Sequence, residues 1–148
     1  MIVSIHVATG AVGGLLTGSR VGAALLGPVL HVVCDRVPHQ DIASRRFEIA
    51  SGVGGVLALA IVRGPFDPTT IGAAASAAPD LEHVLPLPRP RGRKLFPSHR
   101  KAGWHRPGGV SSTIQLLVAG VLLGSVLATR FPYRPPSESS HGAATVET

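Results

Sequence analysis

Five apolar stretches organise the chain: residues 2–17, 21–33, 47–62, 69–85 and 111–129. None alternates apolar and polar positions with period two, so each predicts a helix and not a strand. The stretch at 111–129 comes closest to the ~20 apolar residues that a bilayer crossing needs. The others are shorter, and Pro28 predicts a kink in the second. Small residues recur every four positions, as Gly10, Gly14 and Gly18 and again as Gly120 and Gly124. Residues four apart share a helical face, so each row predicts close backbone approach, either within the chain or between copies of it.

Composition points these helices toward lipid. Of 148 residues, 45% are hydrophobic and 15% charged, against roughly 25% charged in an average water-facing domain. The expectation is an all-α integral membrane bundle of about five short helices, with a long basic loop before the last. The helical domain covers 1–131 and includes the polar loop 86–109. The tail 132–148, rich in Pro, Ser and Thr, is expected to be disordered. The first stretch lacks a basic leader and is interrupted by glycines, so it reads as a retained helix.

Fourteen Lys and Arg against eight Asp and Glu give a net charge of +6. The basic residues lie between the apolar stretches, where they act as topology signals and meet anionic headgroups. Membrane lipid is therefore the expected partner and nucleic acid is not. Five alternating crossings place Arg36, Arg45, Arg46, Arg89, Arg91, Arg93, Lys94, Arg100, Lys101 and Arg106 on one side. Arg20, Arg63, Arg130 and Arg134 fall on the other. The positive-inside rule makes the first side cytoplasmic and the protein a multi-pass inner-membrane one.

The same partition gathers chemistry. His6, His31, His39, His83, His99 and His105 map to the more basic side, together with Asp35, Asp41, Glu48, Asp80 and Glu82. His31 and Asp35 stand at i and i+4, and Asp80 and His83 at i and i+3, spacings that share a helical face. Anions at a helix C-terminus oppose the helix dipole, a penalty that a bound cation removes. Imidazole and carboxylate donors suit a divalent metal, with zinc or manganese favoured and iron possible. The candidate ligands are His6, His31, Asp35, Asp80, His83, His99 and His105. His39, Asp41 and Glu82 are candidates to support them. More than four ligands hints at two ions, which could activate water and clamp a phosphoryl oxygen. Arg100 and Arg106 are candidates to hold a substrate anion. Each histidine could equally be a tolerated polar residue near an interface, and the basic loop a solvated face. Cys34 is the sole cysteine, which excludes an internal disulfide and a multi-Cys zinc site.

Several elements together resemble the bacterial inner-membrane metal-dependent hydrolase-like family. They are the early His6, the His31-x3-Asp35 helix, the Pro79-Asp80-Leu81-Glu82-His83 run, His99-Arg100 and Trp104-His105-Arg106. Members of that family carry an early His and the motifs Pro-Asp-Ile-Asp-His, His-Arg-Gly-x-Thr-His-Ser and His-x3-Asp. Here the His-x3-Asp element comes before the Pro-Asp element, and Glu82 replaces an Asp. The resemblance implies a hydrolase acting on a phosphoester or related bond, with a phosphoester or lipid substrate. Two rivals stand beside it. One is a non-catalytic membrane protein whose basic loop binds anionic lipid or a cytoplasmic partner. The other is a transport subunit.

Overall fold

The computed structural model describes residues 1–101, 103–104 and 106–129. All five apolar stretches are helical. They correspond to α1 (Val3–Thr17), α2 (Arg20–Asp35), α3 (Arg45–Arg63), α4 (Pro68–Ala77) and, after two short helices, α7 (Ser112–Ala128). Following α4, a 3-10 turn at Ala78–Asp80 leads into α5 (Leu81–Val84), and α6 covers Pro97–Arg100. Side-chain oxygens fix four of the helix starts. Ser19, Ser44, Asp67 and Ser111 each accept a backbone N–H from the first turn of α2, α3, α4 and α7. Gly18 ends α1 in the left-handed conformation at φ 57°.

Helix α1 lies at the centre, packed on α4, α2, α7 and α3. Its Val7 and Ala11 join Leu59, Ala73 and Val126 in one apolar core. Ile2, Ile5 and Ala8 join Ala119 in a second. The tightest seam is α1 against α4. A Cβ on Gly10 would overlap the Gly72 carbonyl, and one on Gly14 the Pro68 carbonyl. Gly10 and Gly14 of the first row therefore pack within the chain, whereas Gly18, Gly120 and Gly124 face open space. Gly14→Ala should destabilise the fold by about 1–3 kcal/mol or more through overpacking. Gly124→Ala should stabilise it by up to about 1 kcal/mol through helix propensity. Urea denaturation of the two variants checks both signs.

The expectation of a bilayer-spanning bundle is overturned. No helix among the described residues is long and apolar enough to cross a membrane. Helices α1, α2 and α7 have 15, 16 and 17 residues. At about 1.5 Å per residue they fall short of a core about 30 Å thick. Helix α3 has 19 residues but carries Arg45, Arg46, Glu48 and Arg63, and α4 has only 10. The transmembrane reading, the multi-pass inner-membrane placement and the two-sided topology fall together. Paucity of charge and plentiful small residues signalled close helix packing, and that packing occurs between short helices.

The polar loop 86–109 is not featureless. It contains a 3-10 turn at Pro90–Gly92 and α6, and its far end is tied down. His39 N donates to Arg106 O, Gln40 N to Val110 O and Val110 N to Pro38 O. His105 and the tail 132–148 lie outside the described residues.

Candidate metal centre

Antiparallel packing brings the start of α1, the end of α2, the α4–α5 junction and α6 to one end of the bundle. His6, His31, Asp35, Asp80 and His99 meet there. His31 and Asp35, one turn apart on α2, are both buried, and His31 Nε2 lies 3.1 Å from Asp35 Oδ2. His99 Nε2 lies 3.2 Å from His31 Nε2 and 3.5 Å from Asp35 Oδ2. Asp80 Oδ1 stands 3.6 Å from His99 Nε2 and 3.9 Å from His31 Nε2. His6 stacks on His31 with ring centres 3.9 Å apart. Its Nε2 lies 3.3 Å from Asp35 Oδ1 and 3.9 Å from Asp80 Oδ2.

The outer nitrogens dictate what the inner ones offer. A carbonyl only accepts, so His31 Nδ1–H donates to Ser76 O, 2.8 Å away in the last turn of α4. His99 Nδ1–H donates to Glu82 Oε1 at 2.5 Å. In their neutral forms both rings therefore point an Nε2 lone pair at the other, beside a carboxylate oxygen. Such an arrangement repels itself unless a cation lies within it. A shared proton would satisfy the His31–His99 pair. It would still leave Asp35 Oδ2, Asp80 Oδ2 and both ring nitrogens of His6 buried without a hydrogen-bond partner. These donors could instead hold a divalent cation, which would meet the carboxylate oxygens and one ring nitrogen of each histidine. Ligand atoms around tetrahedral zinc lie about 3.3 Å apart, given bonds of about 2.0–2.1 Å. The His31–Asp35–His99 triangle has sides of 3.1, 3.2 and 3.5 Å.

Among the described residues, three overlapping groups could hold a metal ion: His31, Asp35 and His99; His6, His31 and Asp80; and Asp80, His83 and His99. His83 is the exposed member, at the rim, where Lys94 Nζ donates to its Nδ1 at 3.1 Å. The residues expected to support the ligands differ in what they touch. Glu82 is buried, and its Oε2 accepts the N–H groups of Leu95 and Phe96 at 2.7 and 3.2 Å. It thereby orients His99 and folds the loop over the centre. Glu82→Ala should weaken metal binding by about 10–100-fold and speed amide exchange at Leu95 and Phe96. Titration calorimetry and hydrogen exchange would read the two effects. His39 Nε2 lies 3.2 Å from Asp41 Oδ1, and Asp41 reaches toward the Met1 amino group at 3.9 Å. Cys34 is a packed thiol whose Sγ–H donates to Thr9 Oγ1, and burial raises its pKa.

Burial pushes the Asp35 carboxyl up, but the His31, His6 and His99 rings beside it, with the Met1 ammonium, hold it far below the usual carboxylate range. That ammonium donates to Asp35 Oδ1 at 3.0 Å. Burial also lowers His6 to about 3, with Asp35 opposing, so its ring stays neutral. It pushes Asp80 up to about 6, with His31 and His99 opposing. Burial acts to lower His99, but Asp35 and Glu82 outweigh it and raise the ring.

A cavity of about 340 Å³ opens beside the cluster, lined by Asp35, Asp80, His83 and His99 together with Arg45 and Glu48. Arg100 and Arg106 are exposed and lie outside this lining, which includes Arg45 and Met1. Sequence reasoning placed Glu48 on the histidine-rich side without a role, and passed over Ser76 and Gln115. Glu48 Oε1 is buried without a hydrogen-bond partner, and burial raises its carboxyl. Gln115 accepts Ile2 N at 3.1 Å and donates to Gln40 O and Val110 O at 2.8 and 3.0 Å. It fixes the start of α1 against both loops. As the one amide side chain in a run of apolar and hydroxyl residues, Gln115 was visible as an anomaly. Comparison of the chain with protein-family models, with curated proteins and with solved structures gives no match, so a functional reading rests on this site's own chemistry.

Proposed function

We propose that the chain is a metal-dependent hydrolase acting on a phosphoester or related bond, with zinc or manganese as the ion. The observation that carries this reading is the pair of imidazoles His31 and His99. Their outer nitrogens are held by Ser76 and Glu82, and their inner ones converge with Asp35. His6 and Asp80 complete a mixed nitrogen and oxygen donor set that suits these metals. A cavity against the donors supports catalysis over a purely structural ion, since catalytic sites keep an open position. When bound, the ion supplies Lewis acidity toward water and a phosphoryl oxygen.

The chain's own groups do the rest. Ser76 and Glu82 fix the donors His31 and His99. Arg45 faces the cavity with a charge suited to a phosphate oxygen. Water oxygen forms the new bond to phosphorus as the bond from phosphorus to the ester oxygen breaks. The Glu48 carboxylate takes the proton that water loses and returns it to the ester oxygen, which releases the alcohol. Burial raises this carboxyl, which makes it a stronger base for the exchange.

Assay of p-nitrophenyl phosphate and bis-p-nitrophenyl phosphate with and without chelator tests the reading. Glu48→Gln should retain metal and lose about 10²–10⁴ in kcat. Turnover unaffected by chelator, or absent from metal-loaded protein with both esters, would reject hydrolysis of such bonds.

A further inference from the structure

The polar cavity does not end at its charged wall. A second hollow of about 270 Å³ adjoins it and shares Val3, Ile49, Asp80 and Val84 with it. Beyond that junction the lining is apolar: Val53, Val56 and Leu57 on α3 face Ala74, Ala77 and Leu81 on the α4–α5 side. Among the described residues Asp80 is the only ionisable one in its lining, and it stands where the two hollows meet. From Ile49 to Leu57 the α3 wall runs about 12 Å. Val53 and Leu57 are 53% and 54% exposed, although each is a large apolar side chain.

We infer that this groove takes the hydrocarbon chain of the substrate, so that the substrate class is a single-chain amphiphile with its phosphoester in the polar cavity and its alkyl or acyl chain along α3. The inference rests on the hydrolase reading for the headgroup and adds the chain. Continuity argues for this occupant. A chain leaving a phosphate in the polar cavity passes Asp80 and then meets only apolar side chains along the second hollow, and its transfer from water stabilises the complex. The absence of ionisable lining residues beyond Asp80 excludes a second charged group there.

The test uses the full chain loaded with zinc or manganese and a series from ethyl to decyl phosphate, each below its micellar concentration. Titration calorimetry should show affinity rising about two- to fourfold per added methylene, to a plateau. Ala74→Trp, at an exposed position of α4 lining the groove, should flatten that rise and leave ethyl phosphate unchanged. Val53→Asp on the opposite wall should do the same, which guards against misfolding of either variant. Equal affinity for ethyl and decyl phosphate overturns the inference. So does a chain-length dependence that survives both variants. If the rise with chain length is blocked by the variants yet indifferent to metal, the groove stands and the metal reading of the headgroup site fails.

Discussion

Asp35→Ala should lower the stability of the metal-free protein by about 3–5 kcal/mol, and its metal affinity by more than about a hundredfold. The carboxylate is 1% exposed and touches every basic partner in the cluster. Oδ1 accepts from the Met1 amino group at 3.0 Å and lies 3.3 Å from His6 Nε2. Oδ2 lies 3.1 and 3.5 Å from the inner nitrogens of His31 and His99. Truncation leaves an ammonium and three imidazoles facing one another with the central negative charge gone, and uncompensated buried charge is among the costliest defects. Denaturation with and without chelator, paired with titration calorimetry, reads both losses. A stability change below about 1 kcal/mol with unchanged affinity would remove Asp35 from the centre.

Asp80→Asn should move the metal-free protein the other way. Burial pushes Asp80 from 3.8 to about 6, so at neutral pH its ionised form is a liability of up to about 3 kcal/mol. Between pH 4 and 6 the native state binds more protons at this residue than the unfolded chain does. The Asp80 contribution to stability therefore falls as pH rises through that window. The amide variant escapes this loss. Its advantage over the parent should be absent below about pH 4 and complete above about pH 6. The same substitution should abolish most of the thermal stabilisation that zinc or manganese gives, because Oδ2 faces His6 and nothing else satisfies it. Two carboxylates in one cluster thus carry opposite signs in the metal-free protein and the same sign in the loaded one. A purely structural ion-pair network would not produce that pattern.

Much of the fold was legible in the apolar pattern, because a helix that buries a face must repeat its apolar residues whatever surrounds it. The ends were less legible. Arg20 extends α2, and Arg45, Arg46 and Arg63 extend α3, since arginine is a good helix former. The bilayer reading failed because hydropathy averages apolar content and does not measure helix length against membrane thickness. Gly10 and Gly14 read correctly as a packing face, but the partner, α4, lies within the same chain.

At the site, His31 and Asp35 were legible as a pair because α2 continues through both. The spacing of Asp80 and His83 assumed a continuous helix. Pro79 instead turns the chain into 3-10 geometry at Ala78–Asp80, and Asp80 enters the cluster while His83 stays exposed at its rim. His99 came from a segment that reads as loop. Glu82, reaching 17 residues along the chain to its ring, helps bring it in. Ser76 acts through a backbone carbonyl, which no side-chain pattern announces.

The central claim is that a divalent cation belongs among His6, His31, Asp35, Asp80 and His99. Elemental analysis of the full-length protein after dialysis against zinc or manganese, set beside Asp35→Ala, tests it most directly. The account predicts at least one tightly held ion per chain in the parent and loss of that ion in the variant. A correctly folded parent that retains no metal, and whose melting temperature does not respond to either ion, would contradict it.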